Sequence, residues 1–333
     1  MPVRESFACL WCGRPHTVRS PDDIEGFAQL CPDCIGRAGE NSFLRFRLKT
    51  ALAERAAAGR TTDRPAATVG EVGPSRVSTP PNSPHLGRPP DTAAVAAPPA
   101  RDLHDEMIEY YSARAPEYDD FYLRRGPYAH GPIDDMAWQV DLDAAGQWLD
   151  ALPIRGEIVE LAAGTGWWSP LLASKGELSL YDAAEAPLSI ARDRLLAHNL
   201  RAHLHVRDAW AEPDRRVDAL FLGFWLSHVP SARLAEFLAL ARRWLKPGGT
   251  FAFIDSRLDP ASSAANQPAP PGDPSGGPEV ARRRLADGRE FRVTKVFYDP
   301  VALAAALGAA GFRDVSVTTT SRFFLLGTGT AAG

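Results

Sequence analysis

A strand-length apolar run that ends in a turn of small residues constrains this chain more than any other feature. Ile158-Val159-Glu160-Leu161 leads into Ala162-Ala163-Gly164-Thr165-Gly166, and Trp167-Trp168 then opens a helix-forming stretch. Small residues let a backbone approach a ligand closely and reach dihedral angles closed to bulkier ones. Dinucleotide-binding folds use the same strand, turn and helix start, so the turn alone predicts a crevice and leaves its ligand open. A nicotinamide-dependent oxidoreductase is the rival reading at this level. It would want a small residue at Ser169 against the sheet, which serine only half satisfies.

The rest of the C-terminal two-thirds follows the same alternation. Leu103–Ala115 and Asp135–Ala151 read as helices. Strands are predicted at Ile158–Leu161, Leu178–Tyr181, Ala202–Val206, Ala219–Trp225 and Thr250–Asp255, with helices to about Ser174, over Pro187–His198 and over Ser231–Leu245. Lys246-Pro247-Gly248-Gly249 stops the last of these. A Pro/Gly-rich insertion at 259–278 precedes a strand-like Phe291–Phe297, a helix over Pro300–Ala310, and closing strands at 314–320 and 322–327. Strands and helices of this length build right-handed parallel units. The expected fold is α/β: a doubly wound, mostly parallel, seven-stranded Rossmann-like sheet spanning 103–333.

Polar residues fall at ordered distances after the turn. Asp182 ends the second strand, Asp208-Ala209-Trp210 follows the third, and Gly223 with Ser227-His228 closes the fourth. Each acid taken singly also fits a helix N-cap. Together with Glu160, Ala162, Gly164 and Gly166 in the turn, the set resembles the class I S-adenosylmethionine (SAM)-dependent methyltransferase family. That family's first motif reads acid-x-small-x-Gly-x-Gly; Ala162 departs from its first glycine by one methyl group. The resemblance implies a SAM-dependent methyltransferase whose cofactor meets Glu160, Ala162, Gly164, Thr165 and Gly166 at the turn. It implies that Asp182 takes the ribose hydroxyls, because one carboxylate offers two acceptor oxygens. Asp208, Ala209 and Trp210 would meet the adenine, and Gly223 would lie beside the methyl group. Tyr110–Asp119 is similar to the lid of small-molecule members, where Tyr111, Arg114 and Tyr118 would close over the cofactor.

Methyl transfer needs a general base only when the nucleophile carries a proton to be removed. His228 is the candidate catalytic residue, and a structural histidine bonded to backbone is the alternative. Tyr122, Tyr128, Trp138 and Arg257 are candidate pocket residues. Trp167 and Trp168 are expected in the core. Arg282-Arg283-Arg284 reads as a solvated helix face, because 33 of the 37 basic residues are arginine and arginine clusters are therefore discounted.

The N-terminal region is of another kind. Cys9-x2-Cys12 and Cys31-x2-Cys34, separated by 18 residues, match a four-cysteine zinc ribbon. Four thiolates leave no open position, so the predicted zinc is structural, and residues 1–40 form a zinc-ribbon-like module that the metal folds. His16 is superfluous to it. A helix is expected over 41–58. Residues 59–100, rich in Pro, Ala, Gly, Ser and Thr, read as a disordered linker, since they bury too little apolar surface to offset chain entropy.

Net charge is −4, and residues 1–60 carry nine Arg/Lys against seven Asp/Glu. Neither favours a nucleic-acid clamp. No run approaches a membrane span and no signal peptide is evident, so a cytoplasmic setting is expected. The favoured reading is methylation of a small-molecule acceptor. An RNA methyltransferase that grips RNA through its zinc module and a non-catalytic SAM-fold protein are the alternatives. A protein partner or self-association through the module remains open.

Overall fold

The computed structural model describes residues 6–9, 14–20, 23–36, 48, 51–52, 102–265, 267 and 279–333. The linker at 59–100, Cys12, and most of both the 41–58 helix and the 259–278 insertion lie outside the described residues.

Seven strands make the central sheet: β3 (Glu157–Leu161), β4 (Glu177–Asp182), β5 (His203–Val206), β6 (Val217–Gly223), β7 (Leu245–Ser256), β10 (Phe312–Thr319) and β11 (Phe324–Ala331). Their spatial order is β10-β11-β7-β6-β3-β4-β5. Strands β7, β6, β3, β4 and β5 run parallel, and β11 enters antiparallel between β7 and β10. The doubly wound, mostly parallel sheet expected from the sequence is the observed one. Buried on both faces, β3 and β6 read as near-continuous apolar runs, as central parallel strands do. The chain reverses its strand order between β3 and β6, and a crevice opens beyond the carboxyl ends there.

Two features depart from the predicted elements. Phe291–Phe297 does not join the sheet. Its first part is β9 (Glu290–Thr294), paired antiparallel with β8 (Val280–Arg284) in a separate hairpin. Arg282, Arg283 and Arg284 therefore lie on a strand, and the predicted helix face there is corrected. The alternation of the pair decides it: Ala281, Phe291 and Val293 are buried on one side, while Arg282 and Arg284 are exposed.

Helices flank the sheet. α3 (Leu103–Arg114) is N-capped by Asp102, whose Oδ1 accepts from His104 N–H at 3.0 Å. It buries Met107, Tyr110 and Arg114, one helical stripe, against the hairpin and the mouth of the crevice. Glu106 fastens it to β9, accepting from Arg292 N–H at 2.5 Å and Arg292 Nε at 2.9 Å. α5 (Pro132–Ala151) packs Trp138, Leu142 and Leu149 into the core beneath β11. α4 (Asp120–Leu123), α6 (Ser169–Ala173), α7 (Glu185–Ala197), α8 (Leu234–Arg243) and α9 (Pro300–Ala309) complete the layers. Trp167 and Trp168 are core residues as expected, and Trp167 stacks on Tyr122 with ring centroids 4.3 Å apart.

The N-terminal segment has a small core of its own. Strands β1 (Ser6–Ala8) and β2 (Pro15–Thr17) pair, and short helices α1 (Ile24–Ala28) and α2 (Pro32–Gly36) follow. Phe7, Leu30, Ala28 and Ala51 pack around Cys9, Cys31 and Cys34. No described helix is long and apolar enough to cross a membrane.

Candidate active site

At the end of β3 the chain must turn sharply toward the helix that follows, and the backbone does so through the left-handed region. Ala162, Gly164 and Gly166 have φ of 50°, 56° and 69°. Gly166 is fixed by packing, since a Cβ there would meet Ala191 Cβ at 2.7 Å. Gly164 is different. A Cβ would meet nothing nearer than Tyr118 Cζ at 4.0 Å, so open space lies over its backbone. Asp182, at the tip of β4, pins the turn: its Oδ2 accepts from Gly164 N–H at 2.8 Å and its Oδ1 from Ala184 N–H at 2.9 Å. Burial pushes this carboxyl up to about 6, although both backbone bonds pull the other way.

These residues border a cleft that is open to solvent. Ala162, Gly164, Asp182, Asp208, Ala209 and Gly223 line it from the sheet side. Tyr111, Tyr118 and His228 close it from the other side. Nine of the sequence-derived candidates are thus brought together.

Four others stand behind the wall. Glu160 is buried under the turn, where its Oε2 accepts from Ser169 Oγ at 2.6 Å, and burial pushes its carboxyl up to about 8. Thr165 donates through Oγ1 to Asp119 Oδ1 at 2.7 Å. Gly166 packs on Ala191, and Trp210 lies under Arg233, whose guanidinium carbon is 3.8 Å from its ring centroid. Gly223 borders the cleft, yet its lack of a side chain is dictated from behind: a Cβ would lie 2.8 Å from Trp168 Cδ1.

Asp208 is doubly engaged. Its Oδ1 accepts from Trp210 N–H at 2.7 Å, and its Oδ2 lies 2.6 Å from His104 Nε2. Burial opposes ionisation of Asp208, but the His104 and Trp210 bonds win and hold its carboxyl below the usual range. His104 is correspondingly raised by its bond to Asp208. The pair ties the N-terminus of α3 to the loop after β5 and was missed in the sequence, as were Met107 and Ile108, which reach the cleft one turn further along α3.

A second cavity, of about 540 Å³, adjoins the first. Tyr111, Tyr118, Phe224 and His228 line both and form their common wall. Its far side is built by Arg114, Tyr128, Ser256, Arg283 and Lys295. Arg114 was expected at the cofactor and lies here instead. Of the candidate pocket residues, Tyr128 is present; Tyr122 and Trp138 are core, and Arg257 donates to the carbonyls of Thr320 and Arg322.

His228 sits on the shared wall with both ring nitrogens engaged. Nδ1 is 2.6 Å from the Thr294 carbonyl, which can only accept, so Nδ1 carries the proton. Nε2, 2.7 Å from Tyr111 Oη, is then the acceptor of the phenol proton. Burial, and secondarily the Lys295 charge, holds the imidazole well below its ordinary pKa, so it is neutral. In the N-terminal segment, the sulfur atoms of Cys9, Cys31 and Cys34 lie within 4.8 Å of one another, all buried. His16 is not among them and packs against Phe7.

The family model of a methyltransferase domain matches residues 158–249, from β3 into the first part of β7. Two solved structures of the protein DhpI resemble the chain at 31% identity. A complex with SAH covers 69% of this chain and is itself covered over 97% of its length, with a TM-score of 0.54. A complex with SAM and HEP covers 68% and is covered over 97%, with a TM-score of 0.53. No curated protein sequence matches the chain.

Proposed function

The chain belongs to the class I SAM-dependent methyltransferases and is an enzyme, and from that premise we propose that it methylates a small molecule held in the second cavity. The observation that carries the reading is the common wall: the cleft bordered by Gly164 and Asp182 meets a separate cavity through Tyr111, Tyr118, Phe224 and His228. Two small, adjoining cavities suit a donor and an acceptor that meet across one wall.

The first cleft fits the cofactor. Open space over the Gly164 backbone admits close approach, and each Asp182 oxygen keeps a lone pair beyond its backbone bond for a ribose hydroxyl. Asp208 and the Ala209 backbone would meet the adenine end, with Met107 and Ile108 covering it. Glu160, Thr165, Gly166 and Trp210 act from behind, by holding the turn and the loops in place. When bound, SAM supplies a methyl group activated by the sulfonium charge, so the protein's main task is to orient and exclude water.

Tyr111 and His228 offer a path for a proton. The Tyr111 hydroxyl donates to His228 Nε2, which leaves its oxygen free to accept a hydrogen bond from an acceptor's O–H or N–H. A proton released there passes to Tyr111 Oη as the phenol proton moves to Nε2. The Nδ1 bond to Thr294 holds the tautomer that this transfer requires.

A structural zinc on the N-terminal cysteines is part of the same proposal. Three buried thiols within 4.8 Å fit three corners of a tetrahedral site, and Cys12 is the expected fourth ligand. Such a module would offer a surface to a partner or a second copy of the chain.

The test is to expose metabolite and RNA pools to the protein with an isotope-labelled methyl donor and follow the label by mass spectrometry. Label in metabolites alone supports the proposal, and label in RNA alone overturns it in favour of RNA modification. Titration calorimetry with SAM checks the first cleft independently. Asp182→Asn should weaken binding at least about tenfold, because a charge-assisted pair is lost.

A further inference from the structure

Three cations converge on the second cavity, and no acid is among its described lining residues. Arg114, at the end of α3, is buried to 7% exposure and makes no ion pair or hydrogen bond among the described residues. Its guanidinium is instead enclosed by rings, 4.5 Å from the Tyr118 centroid and 5.3 Å from that of Tyr128. Lys295 is buried just after β9. Its Nζ donates to Ser227 Oγ at 2.7 Å and Ser256 Oγ at 3.3 Å, both neutral acceptors. Arg283 projects from β8 into the same space and makes no ion pair among the described residues.

The nearest carboxylate answers only part of this charge. Asp255 Oδ1 is 4.0 Å from Lys295 Nζ, beyond hydrogen-bond reach. Both of its oxygens are already engaged, Oδ2 by Ser227 N–H at 2.8 Å and Oδ1 by Ser256 N–H at 2.6 Å. Among the described residues, one acid therefore faces three cations. Leaving a charge buried without a partner is costly, and a buried cation in a finished site is paired. Burial pushes the Lys295 ammonium down to about 8; the Asp255 charge pulls it up, and the Arg283 and Arg114 charges push it down.

We propose, resting on the two-cavity reading above, that the acceptor carries an oxyanion group gripped by Arg114, Arg283 and Lys295. Guanidinium groups match oxyanions in shape as well as charge, since their N–H donors pair in parallel with two oxygens. An excess of about two positive charges favours a doubly charged tetrahedral oxyanion over a carboxylate. Anchored at that end, the acceptor presents its nucleophilic atom to Tyr111 and His228 on the common wall. The bound anion also offsets the Lys295 and Arg283 fields that depress the imidazole, so the histidine becomes a better proton acceptor when substrate is in place.

The experiment is titration calorimetry of the full chain with inorganic phosphate, acetate and glycerol, with and without SAH. Phosphate is expected to bind saturably, acetate more weakly and glycerol not at all. Arg283→Gln and Lys295→Met should each weaken phosphate at least about tenfold, the loss that a charge-assisted hydrogen bond carries. SAH affinity should be unchanged in both. Arg283 is half-exposed on a hairpin, so its variant keeps the test valid if the Lys295 variant misfolds. Acetate binding tighter than phosphate would keep the oxyanion and assign it to a carboxylate. Saturable binding of neither anion, or phosphate binding unaltered in both variants, overturns the inference. Loss of SAH binding with phosphate binding intact would instead defeat the assignment of the first cleft.

Discussion

Tyr111 Oη lies 2.7 Å from His228 Nε2, although the two residues are 117 positions apart. α3 brings the phenol down onto a short turn at the end of β6, and the Thr294 carbonyl on the hairpin fixes the ring that receives it. Three separate elements therefore specify one proton's position. Tyr111→Phe removes the acceptor oxygen and keeps the ring that walls both cavities. We expect kcat to fall by about 10–100-fold with SAM affinity changed little, because proton transfer by a positioned group contributes on this scale or above. Steady-state kinetics with calorimetry distinguishes the two. An equal loss in SAM affinity would make Tyr111 a cofactor contact only.

Burial of His228 as a neutral ring also has a signature in stability. Its folded pKa is depressed below the unfolded value near 6.5, so the unfolded chain takes up a proton that the folded chain does not. Stability attributable to this group is full above that value and falls as pH drops below it. Denaturant unfolding from pH 7.5 to 5.5 should show the decline, and His228→Asn should flatten it. A slope identical in the variant would rule the histidine out as its source.

Glu160 has the opposite sense. Its folded pKa of about 8 exceeds the ordinary carboxyl value of 4.5, so the folded chain holds a proton that the unfolded chain releases. Stability is full below the unfolded value and falls as pH rises through the window between the two. The Ser169 hydroxyl offsets part of the burial, not all of it. Glu160→Gln keeps the acceptor and removes the ionisation. It should raise stability by about 1–3 kcal/mol near neutral pH, a discounted share of the linkage that such a shift implies. Chemical denaturation at pH 6 and pH 8 checks it, with the gain larger at pH 8.

What the sequence disclosed was whatever chain-local rules determine. The turn, Asp182 at the end of its strand and the cysteine spacing are each legible within a few residues, and the strand order follows from the βα alternation. The second cavity is not of this kind. Arg114, Arg283 and Lys295 meet only because α3 folds over a hairpin that begins 166 positions after it ends (280 − 114). Composition also worked against Arg283, because a chain with 33 arginines gives little reason to single one out. His104 and Asp208, 104 residues apart, illustrate the same limit. A strand pattern at 291–297 was readable, but its departure from the main sheet was not, since pairing partners are set by topology.

Lys295 gives the anion site a pH dependence. It faces Asp255 on β7, Arg283 on β8 and Arg114 on α3, together with the Ser227 and Ser256 hydroxyls and the His228 ring. Burial holds its ammonium near 8, so the charge is present at neutral pH and lost above. Phosphate affinity, corrected for phosphate's own ionisation, should therefore fall as pH rises from 7 to 9. Lys295→Met should bind phosphate weakly across this range and lose the dependence. A fall of equal steepness in that variant would place the titrating group elsewhere.

The N-terminal cysteines allow a metal test that leaves the methyltransferase domain as its own control. Phe7, Ala28, Leu30 and Ala51 supply little apolar area, and small domains of this size depend on a metal or a disulfide to fold. Cys9, Cys31 and Cys34 form no disulfide with one another, and their sulfur atoms converge as ligands do. Elemental analysis of the purified chain should give one zinc per molecule. Cobalt exchanged into the site should show thiolate-to-metal charge transfer. Cys34→Ser, or extraction with a strong chelator, should open residues before the 103–333 domain to protease at a rate well above that of the loaded protein. SAH affinity and the unfolding of the larger domain should stay as they were. Metal-free protein that resists protease equally would show that the thiols pack as apolar side chains, and a coupled loss of SAH binding would show that the two parts fold as one.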